Sequence, residues 1–331
     1  MVKIGDINLG EFPLLLAPME DVSDPPFRAL CKAQGCDMLY TEFISVEGLI
    51  RNADKSIQKL DIRDEERPVG IQIFGSDVNS MTEAARIIER TKPEVLDINY
   101  GCPVKKVVCK LAGAGILQDI DRMINLTRAV VNSTSLPVTV KTRLGWDEQS
   151  INIVEVAERL QDIGIKAISI HGRTRKQMYT GEADWTLIGA VKANPRMHIP
   201  VFGNGDIDSP EKAKLYRDRY GVDGIMIGRA TIGNPWIFRE IKAHLEGLPI
   251  PEPPTLDERI EAVLTHLRRS ITWKGERVGL AEMKRHYANY FRGLPSVKIF
   301  RNKLVHATSY NEIVDITAEI KNQYSSELIP V

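Results

Sequence analysis

The residues best suited to chemistry sit in one short stretch, Val95-Leu96-Asp97-Ile98-Asn99-Tyr100-Gly101-Cys102-Pro103. Its first half is an apolar run of the kind that forms a buried parallel strand, with Lys92-Pro93 marking the turn before it. The run stops at a Gly-Cys-Pro turn, so Asn99 and the Cys102 thiol fall at the strand's carboxyl end. Residues 104–115 read as a loop in which Lys105, Lys106 and Lys110 stand among Gly113 and Gly115. A basic, glycine-containing loop beside a thiol suits a lid over an anionic substrate. The same thiol can equally be a small apolar residue packed at a strand end, as most free cysteines are.

Those residues need a scaffold, and length and composition bound it. The chain has 331 residues, 43% hydrophobic and 27% charged, which fits one barrel-sized domain plus a smaller appendage. The first residues lack the basic start and apolar centre of a signal peptide, and no run approaches the ~20 apolar residues that span a bilayer, so a cytoplasmic protein is expected. Cys31, Cys36, Cys102 and Cys109 form no C-x-x-C pair, so no metal is expected, and Cys31 and Cys36 read as packed in or beside a helix. Oligomeric state is not legible; a monomer is compatible with the sequence. The net charge of zero hides an asymmetry: between Arg268 and Lys303 ten Lys or Arg face only Glu276 and Glu282, a local charge of +8. That is the footprint of a polyanion-binding surface or of a solvated helical face.

Strand and helix alternate along the chain. Strands are expected at residues 14–19, 37–42, 68–74, 95–98, 137–142, 167–170, 200–202 and 222–227. Helices are expected at about 24–34, 77–90, 119–132, 152–163, 185–193 and 210–219. Eight such beats argue for a (β/α)8 TIM barrel, whose active site lies at the carboxyl ends of the strands. Gln72, Asn99, Cys102, Lys141, His171, Asn204, Asp206 and Arg229 all fall at such ends. A doubly wound sheet is the alternative, although no G-x-G-x-x-G follows the first strand. Gly203-Asn204-Gly205-Asp206 and Gly228-Arg229-Ala230 follow strands seven and eight, where barrels commonly bind a phosphate with loop amides, and Arg229 can add a charge-assisted fork.

A proline run at residues 249–254 reads as a linker between a barrel at 1–248 and an all-helical domain at 255–331, with helices at 257–273, 278–291, 297–305 and 313–324. Ile260, Val263, Leu264 and Leu267 form the stripe of an amphipathic helix. His286, Tyr287, Tyr290 and Phe291 interleave with the basic residues, a mixture that suits RNA, although Tyr287 and Phe291 can equally be core.

Taken together, Leu16-Ala17-Pro18-Met19, Ser23-Asp24-Pro25-Pro26-Phe27-Arg28, Asp97-Ile98-Asn99-Tyr100-Gly101-Cys102-Pro103, His171-Gly172-Arg173-Thr174-Arg175, Tyr179-Thr180-Gly181, Ala183-Asp184-Trp185, Gly203-Asn204-Gly205-Asp206 and Gly228-Arg229 resemble the tRNA-dihydrouridine synthase family, its bacterial B-type branch most closely. The resemblance runs along almost the whole chain. It implies an FMN-dependent enzyme that uses NADPH to saturate the C5–C6 bond of specific uridines in tRNA. On matching positions it implies that Pro18, Met19, Glu20, Gln72, Lys141 and His171 meet the flavin. It implies further that Asn204, Gly205, Asp206, Gly228 and Arg229 hold its phosphate. Cys102 would give the proton to C5 while FMN gives a hydride to C6, and a thiol near its ordinary pKa of ~8.5 is protonated at neutral pH. Asn99 would contact the uracil edge, and Lys141 would stabilise the anionic reduced flavin. Lys105, Lys106, Arg143, Arg173, Arg175 and Lys176 would guide the RNA backbone at the rim, with Arg268, Arg269, Lys284 and Arg285 gripping the tRNA body. Cys109 receives no role. Two rivals differ in kind: a flavin barrel acting on free pyrimidines, similar to dihydroorotate dehydrogenases, would turn over free uracil or orotate. A non-catalytic RNA-binding barrel would stay colourless when FMN is supplied.

Overall fold

The structure, a computed structural model, describes residues 1–326; the end of the expected helical domain, 327–331, lies outside the described residues. Eight parallel strands form the barrel: β1 (Leu14–Leu16), β2 (Leu39–Tyr40), β3 (Val69–Phe74), β4 (Val95–Asn99), β5 (Val138–Arg143), β6 (Ala167–His171), β7 (Val201–Asn204) and β8 (Gly224–Ile227). Each strand from β2 onward pairs with the next, and β8 returns to β1 in the register Ile225 to Leu14. A bridge between Leu15 and Met38 and the bond from Leu16 N–H to Met38 C=O (3.0 Å) close the ring. A doubly wound sheet keeps two open edges, so closure removes that alternative.

The helices on the outside are α1 (Pro25–Ala33), α2 (Val46–Ile50), α3 (Val78–Glu89), α4 (Ile120–Val131), α5 (Ile153–Asp162), α6 (Thr186–Ala193), α7 (Pro210–Tyr220) and α8 (Ile237–Leu245). Local chemistry sets several of their ends. Asp24 accepts the Phe27 N–H (2.9 Å) ahead of Pro25-Pro26 to start α1, while Ser209 caps α7 before Pro210.

Two-residue periodicity sorts the strands' side chains. Leu14, Leu16, Leu96, Ile98, Val138, Val140, Ile168 and Ile170 face the helices in the main core. Leu15, Val95, Ala167, Phe202 and Met226, of the opposite parity, meet inside the barrel. There an N-terminal hairpin (Lys3–Ile4 with Ile7–Asn8) brings Val2, Ile4 and Leu9 against them. The inward parity of β4 continues from Val95 through Asp97 to Asn99, so the polar residues of this strand are directed to the barrel's interior and mouth. A slip of one residue would exchange Asp97 with Leu96 and Ile98, which pins the register.

Gly203 on β7 is a close approach: a Cβ there would lie 1.9 Å from Trp185 Cζ3, and Trp185 is buried with its indole N–H on Gly205 C=O (2.9 Å). Gly203→Ala is expected to lower stability by about 3 kcal/mol, as overpacked core positions do, read as a lower urea midpoint with unchanged m-value.

After the proline run come α9 (Leu256–Lys274), α10 (Glu276–Tyr290), α11 (Lys298–His306) and α12 (Tyr310–Ser326). Their own core includes Val263, Leu267, Met283, Tyr287, Tyr290 and Phe291, and Trp236 from the barrel joins it. His286, Tyr287, Tyr290 and Phe291, expected to interleave with the basic residues, are therefore interior. The unit docks on α1, with Phe27 stacked on His266 (5.5 Å between ring centres) and Lys274 Nζ 2.5 Å from Asp24. The N-terminal hairpin, α2 and α8 have no counterpart among the sequence expectations. The segment expected to be a loop contains a helical turn at Lys105–Val108 and a 3-10 turn at Gly113–Gln118.

Candidate active site

A cavity of about 1010 Å³ opens at the carboxyl ends of the strands. Pro18, Met19 and Glu20 reach it from β1, Asn99 and Cys102 from β4, and Lys141 and Arg143 from β5. His171 comes from β6, Asn204, Gly205 and Asp206 from β7, and Gly228 and Arg229 from β8. Fourteen expected base and cofactor residues and rim cations meet here or directly behind it: the thirteen just named, and Gln72. Gln72 itself is fully buried and does not line the wall. It stands behind Asn99, accepting from Asn99 Nδ2 (2.7 Å) and donating to Asp97 (2.5 Å), where direct contact with a ring was expected.

Asn99 shapes the turn that carries the thiol. Its Oδ1 accepts the N–H groups of Gly101 (3.0 Å) and Cys102 (2.8 Å). With Oδ1 taken and one N–H given to Gln72, Asn99 keeps a single N–H for any ligand. Cys102 is 7% exposed. Burial pushes its thiol above the ordinary value and the Glu20 charge adds to the rise, against opposing pulls from the Val104 amide, Arg143 and Lys141. The thiol is thus kept in its acid form at neutral pH. The basic segment folds back on it: Ala114 N–H bonds Cys102 C=O (3.0 Å), and Gly113 adopts φ 52° where a Cβ would sit 3.0 Å from that same oxygen.

Lys141 stands across the wall. Among the described residues its one hydrogen bond, to Asn204 Oδ1 (3.1 Å), uses one of three N–H groups, and Asn204 is itself oriented by Met226 C=O (2.8 Å). Burial and neighbouring Arg143 lower its pKa to about 8, against the pull of Asp97, so the ammonium is still mostly charged at pH 7. His171 is held neutral: burial, then the charges of Arg143, Lys141, Arg173 and Arg229, keep it well below its ordinary value.

At the β7–β8 corner Asp206 takes two bonds from Arg173 (2.9 and 2.7 Å) and one from Arg229 Nη2 (2.8 Å). Burial alone would raise this carboxyl, but the Arg173 bonds, the Ala183 amide and the two guanidinium charges hold it below its ordinary value. A paired carboxylate does not receive a phosphate. Asp206 instead fixes Arg229, whose side chain is 54% exposed and, among the described residues, keeps Nε and Nη1 for an anion. Gly205 has φ 123° and packs so closely on Ala183 that a Cβ would lie 2.7 Å from it, and a Cβ on Gly228 would point at Ala17 and Met19, into the space between β1 and β8.

Two of the cations expected at the rim are interior. Arg143 is 2% exposed and spends its guanidinium on Gly101, Thr174 and Met178 carbonyls, and Arg173 is 2% exposed on Asp206. Both stabilise the walls by satisfying loop carbonyls that have no strand partner. Arg175 is half-buried over Trp146, Lys176 pairs with Asp147, and Lys105 and Lys106 are exposed. In the helical unit Arg269 pairs with Glu65 and Arg285 with Asp21, so both lie on the seam with the barrel, while Arg268 and Lys284 are exposed. Sequence reasoning quoted Tyr179 in a motif but gave it no role; its ring lies 4.9 Å from the guanidinium of Arg229 and 5.8 Å from that of Arg143 at the cavity. It missed Asn289 and Arg292, which extend the cavity wall onto the helical unit. Neither spacing nor composition assigns these three to the site, because they join the cavity wall only through the docking of separate elements.

A closed parallel barrel with a protonated thiol and several cations gathered at its strand ends has the build of a barrel enzyme that handles an anionic ligand. The chain belongs to the dihydrouridine synthase (Dus) family, whose profile matches residues 15–326. It is 40% identical over 324 residues to tRNA-dihydrouridine synthase B of Pseudomonas putida, covering 97% of this chain and 93% of that one. It is 40% identical over 301 residues to the Vibrio cholerae protein of the same name, covering 91% and 92%. A probable tRNA-dihydrouridine synthase of Rickettsia conorii is 35% identical, covering 98% and 97%. Among solved structures, histamine dehydrogenase from Rhizobium sp. 4-9 shares the fold, with a TM-score of 0.54 at 13% identity over 79% of this chain and 50% of that one.

Proposed function

We propose that this chain is a tRNA-dihydrouridine synthase, reducing the C5–C6 bond of specific uridines in tRNA with FMN and NADPH. The observation that carries the reading is a buried thiol in the wall of the same cavity that carries the Lys141 ammonium.

The residues present fit the cofactor. Arg229, braced by Asp206, offers free N–H groups for a phosphate beside Gly205 and Gly228, while Lys141 has two N–H groups to spare for an electron-rich ring edge. Pro18, Met19, Glu20 and His171 supply the remaining wall. FMN held there and reduced by NADPH would supply a hydride for uracil C6. Negative charge then builds toward C5, and the Cys102 S–H quenches it by giving its proton there. Asn99 holds the turn that aims this S–H, and its spare N–H can meet a carbonyl of the base. A uridine inside folded RNA must leave its stack to reach such a recess.

Exposed Lys105 and Lys106, beside the cavity, and exposed Arg268 and Lys284 form the proposed path of the RNA backbone. Arg277, Lys284, Arg292, Lys298 and Arg301 have no acidic partner within ion-pair distance among the described residues, so their field is open to phosphates. Arg277→Glu with Lys284→Glu and Arg301→Glu is expected to weaken tRNA binding, with the log–log salt dependence shallower by about 0.7–0.9 per lost phosphate contact. Unchanged affinity would move the RNA surface elsewhere. Among the described residues no helix is long and apolar enough to cross a membrane, and a cytoplasmic location follows from a tRNA substrate.

The test is to incubate the protein with NADPH and tRNA lacking dihydrouridine and to map the product by position. Dihydrouridine at defined positions supports the reading. A yellow, NADPH-reducible protein that forms none overturns it in favour of another flavin reductase, with free pyrimidines as the next substrates.

A further inference from the structure

A line of hydrogen bonds crosses the barrel interior from β5 to the thiol. Thr139 Oγ1 donates to Asp97 Oδ1 (2.6 Å), and Gln72 Nε2 donates to Asp97 Oδ2 (2.5 Å). Gln72 Oε1 then accepts from Asn99 Nδ2 (2.7 Å), and Asn99 Oδ1 accepts from the Gly101 and Cys102 amides (3.0 and 2.8 Å). Asp97, Gln72, Thr139 and Asn99 are all buried, on three adjacent strands.

The line has a direction, and both of its ends impose it. An ionised carboxylate only accepts, so Gln72 must turn its NH2 toward Asp97 and its oxygen toward Asn99. Asn99 must then turn its NH2 toward Gln72 and its oxygen toward the turn. At the far end the backbone amides of Gly101 and Cys102 only donate, so the sense agrees throughout. If Gln72 reversed, Asn99 would reverse with it and set NH2 against two N–H groups, opening the turn that presents the thiol.

We propose that Asp97 is a positioning residue: acting through Gln72 and Asn99, its carboxylate fixes the sense of both amides and so holds the Gly101-Cys102 turn in place. The step it serves rests on the reading of Cys102 as proton donor. Asp97 touches neither the cavity nor the thiol. Its neighbours suit the part. Burial raises its acid pKa to about 6, while the bonds from Gln72 and Thr139 and the charge of Lys141 hold it there, so it is ionised at pH 7 to 8; Tyr40, also facing it, is kept neutral by burial.

Asp97→Asn removes the charge and, because the Thr139 hydroxyl donates or accepts, lets position 97 take either sense. It is expected to lower kcat for dihydrouridine formation by about tenfold, as small misplacements of a reacting group do, while KM for tRNA and the rate of flavin reduction by NADPH stay unchanged. Alkylation of Cys102 by iodoacetamide, followed on its own peptide by mass spectrometry, becomes faster as the turn opens. The decisive comparison is Asp97→Asn with Gln72→Glu. This pair keeps the same atoms and one carboxylate, now at position 72, where it accepts from the new amide at position 97 and from Asn99 and restores the sense. Recovery of kcat and of slow alkylation supports the proposal. Wild-type kcat and alkylation in Asp97→Asn overturn it. So does a folded, NADPH-reducible double variant that stays as slow as the single one, since charge or packing alone would then explain the loss. If the single variant does not fold, the double variant decides against the wild type: wild-type kcat and slow alkylation support the proposal, and a folded, NADPH-reducible double variant that is about tenfold slow overturns it. Alkylation reports the turn whatever Cys102 does in the reaction, so full activity of Cys102→Ala would remove the proton-donor role without touching this measurement.

Discussion

Cys102→Ala is expected to keep bound FMN and to remain reducible by NADPH, yet to form dihydrouridine about 10²- to 10⁴-fold more slowly, the range a positioned general acid supplies. On the proposed mechanism the loss belongs in kcat, because the thiol would meet the developing charge at C5 only after the hydride begins to move. Cavity and cofactor wall are built by other residues: Lys141 rests on Asn204, and Arg229 on Asp206. The pH dependence has a definite sign. On the proposed mechanism the reactive form is the protonated thiol, and burial raises its pKa above the ordinary value, so its own titration lowers the rate only as pH rises through that raised value. Loss of the Lys141 ammonium, whose pKa is about 8, should lower the rate first. In Cys102→Ala the upper of these two falls should vanish together with most of the rate, leaving solvent as the proton source. A variant as fast as the parent in single-turnover reaction with reduced enzyme would remove Cys102 as the acid.

Much of the scaffold was legible because the strands are short, apolar and punctuated. Val95-Leu96-Asp97-Ile98 announces a buried strand, and a polar residue at the end of each run announces the mouth of a barrel. What the runs do not tell is how far each polar side chain travels. Arg143 and Arg173 look like rim cations in sequence, since nothing local names their partners. The structure sinks them on the carbonyls of Gly101, Thr174 and Met178 and on Asp206, residues up to 42 positions away in sequence. Gln72 carries the same lesson one layer down. The helical unit misleads for a second reason: Tyr287, Tyr290 and Phe291 alternate with cations at helical spacing, so the core face and the charged face of α10 share one stretch of sequence. The seam is the least legible part. Lys274 reads as one more member of the +8 segment, yet it is buried against Asp24 and Glu282.

That buried cation carries the second large expectation. Lys274 and Asp24 have side chains only 7% and 3% exposed. Burial alone would lower the Lys274 pKa, but Asp24 and Glu282 outweigh it and leave the ammonium above its ordinary value. Lys274→Met strips Asp24 of its countercharge and leaves it the Phe27 N–H at the head of α1. An uncompensated buried charge of this kind costs about 3–5 kcal/mol, so a fall of that size in unfolding free energy by urea titration is expected. Asp24→Asn with Lys274→Met should recover most of it, because the amide still caps α1 and the one carboxylate left without its cation, Glu282, is partly exposed to water. The wild-type contribution has its own pH signature. With a folded pKa above the unfolded value of ~10.4, it is fully present below that value and is lost as pH climbs through the folded one. Lys274→Met should therefore lack this alkaline loss. The consequence reaches the active site, because residues Met19 to Ser23 connect the cavity wall to Asp24, and Arg285 of α10 holds the Asp21 carbonyl (2.7 Å) in the same segment. Loosening the seam should weaken tRNA-dependent turnover more than NADPH-dependent flavin reduction. Equal stability of Lys274→Met and the parent would show that the apolar contacts of α9 with α1, Phe27 on His266 foremost, hold the seam without the ion pair.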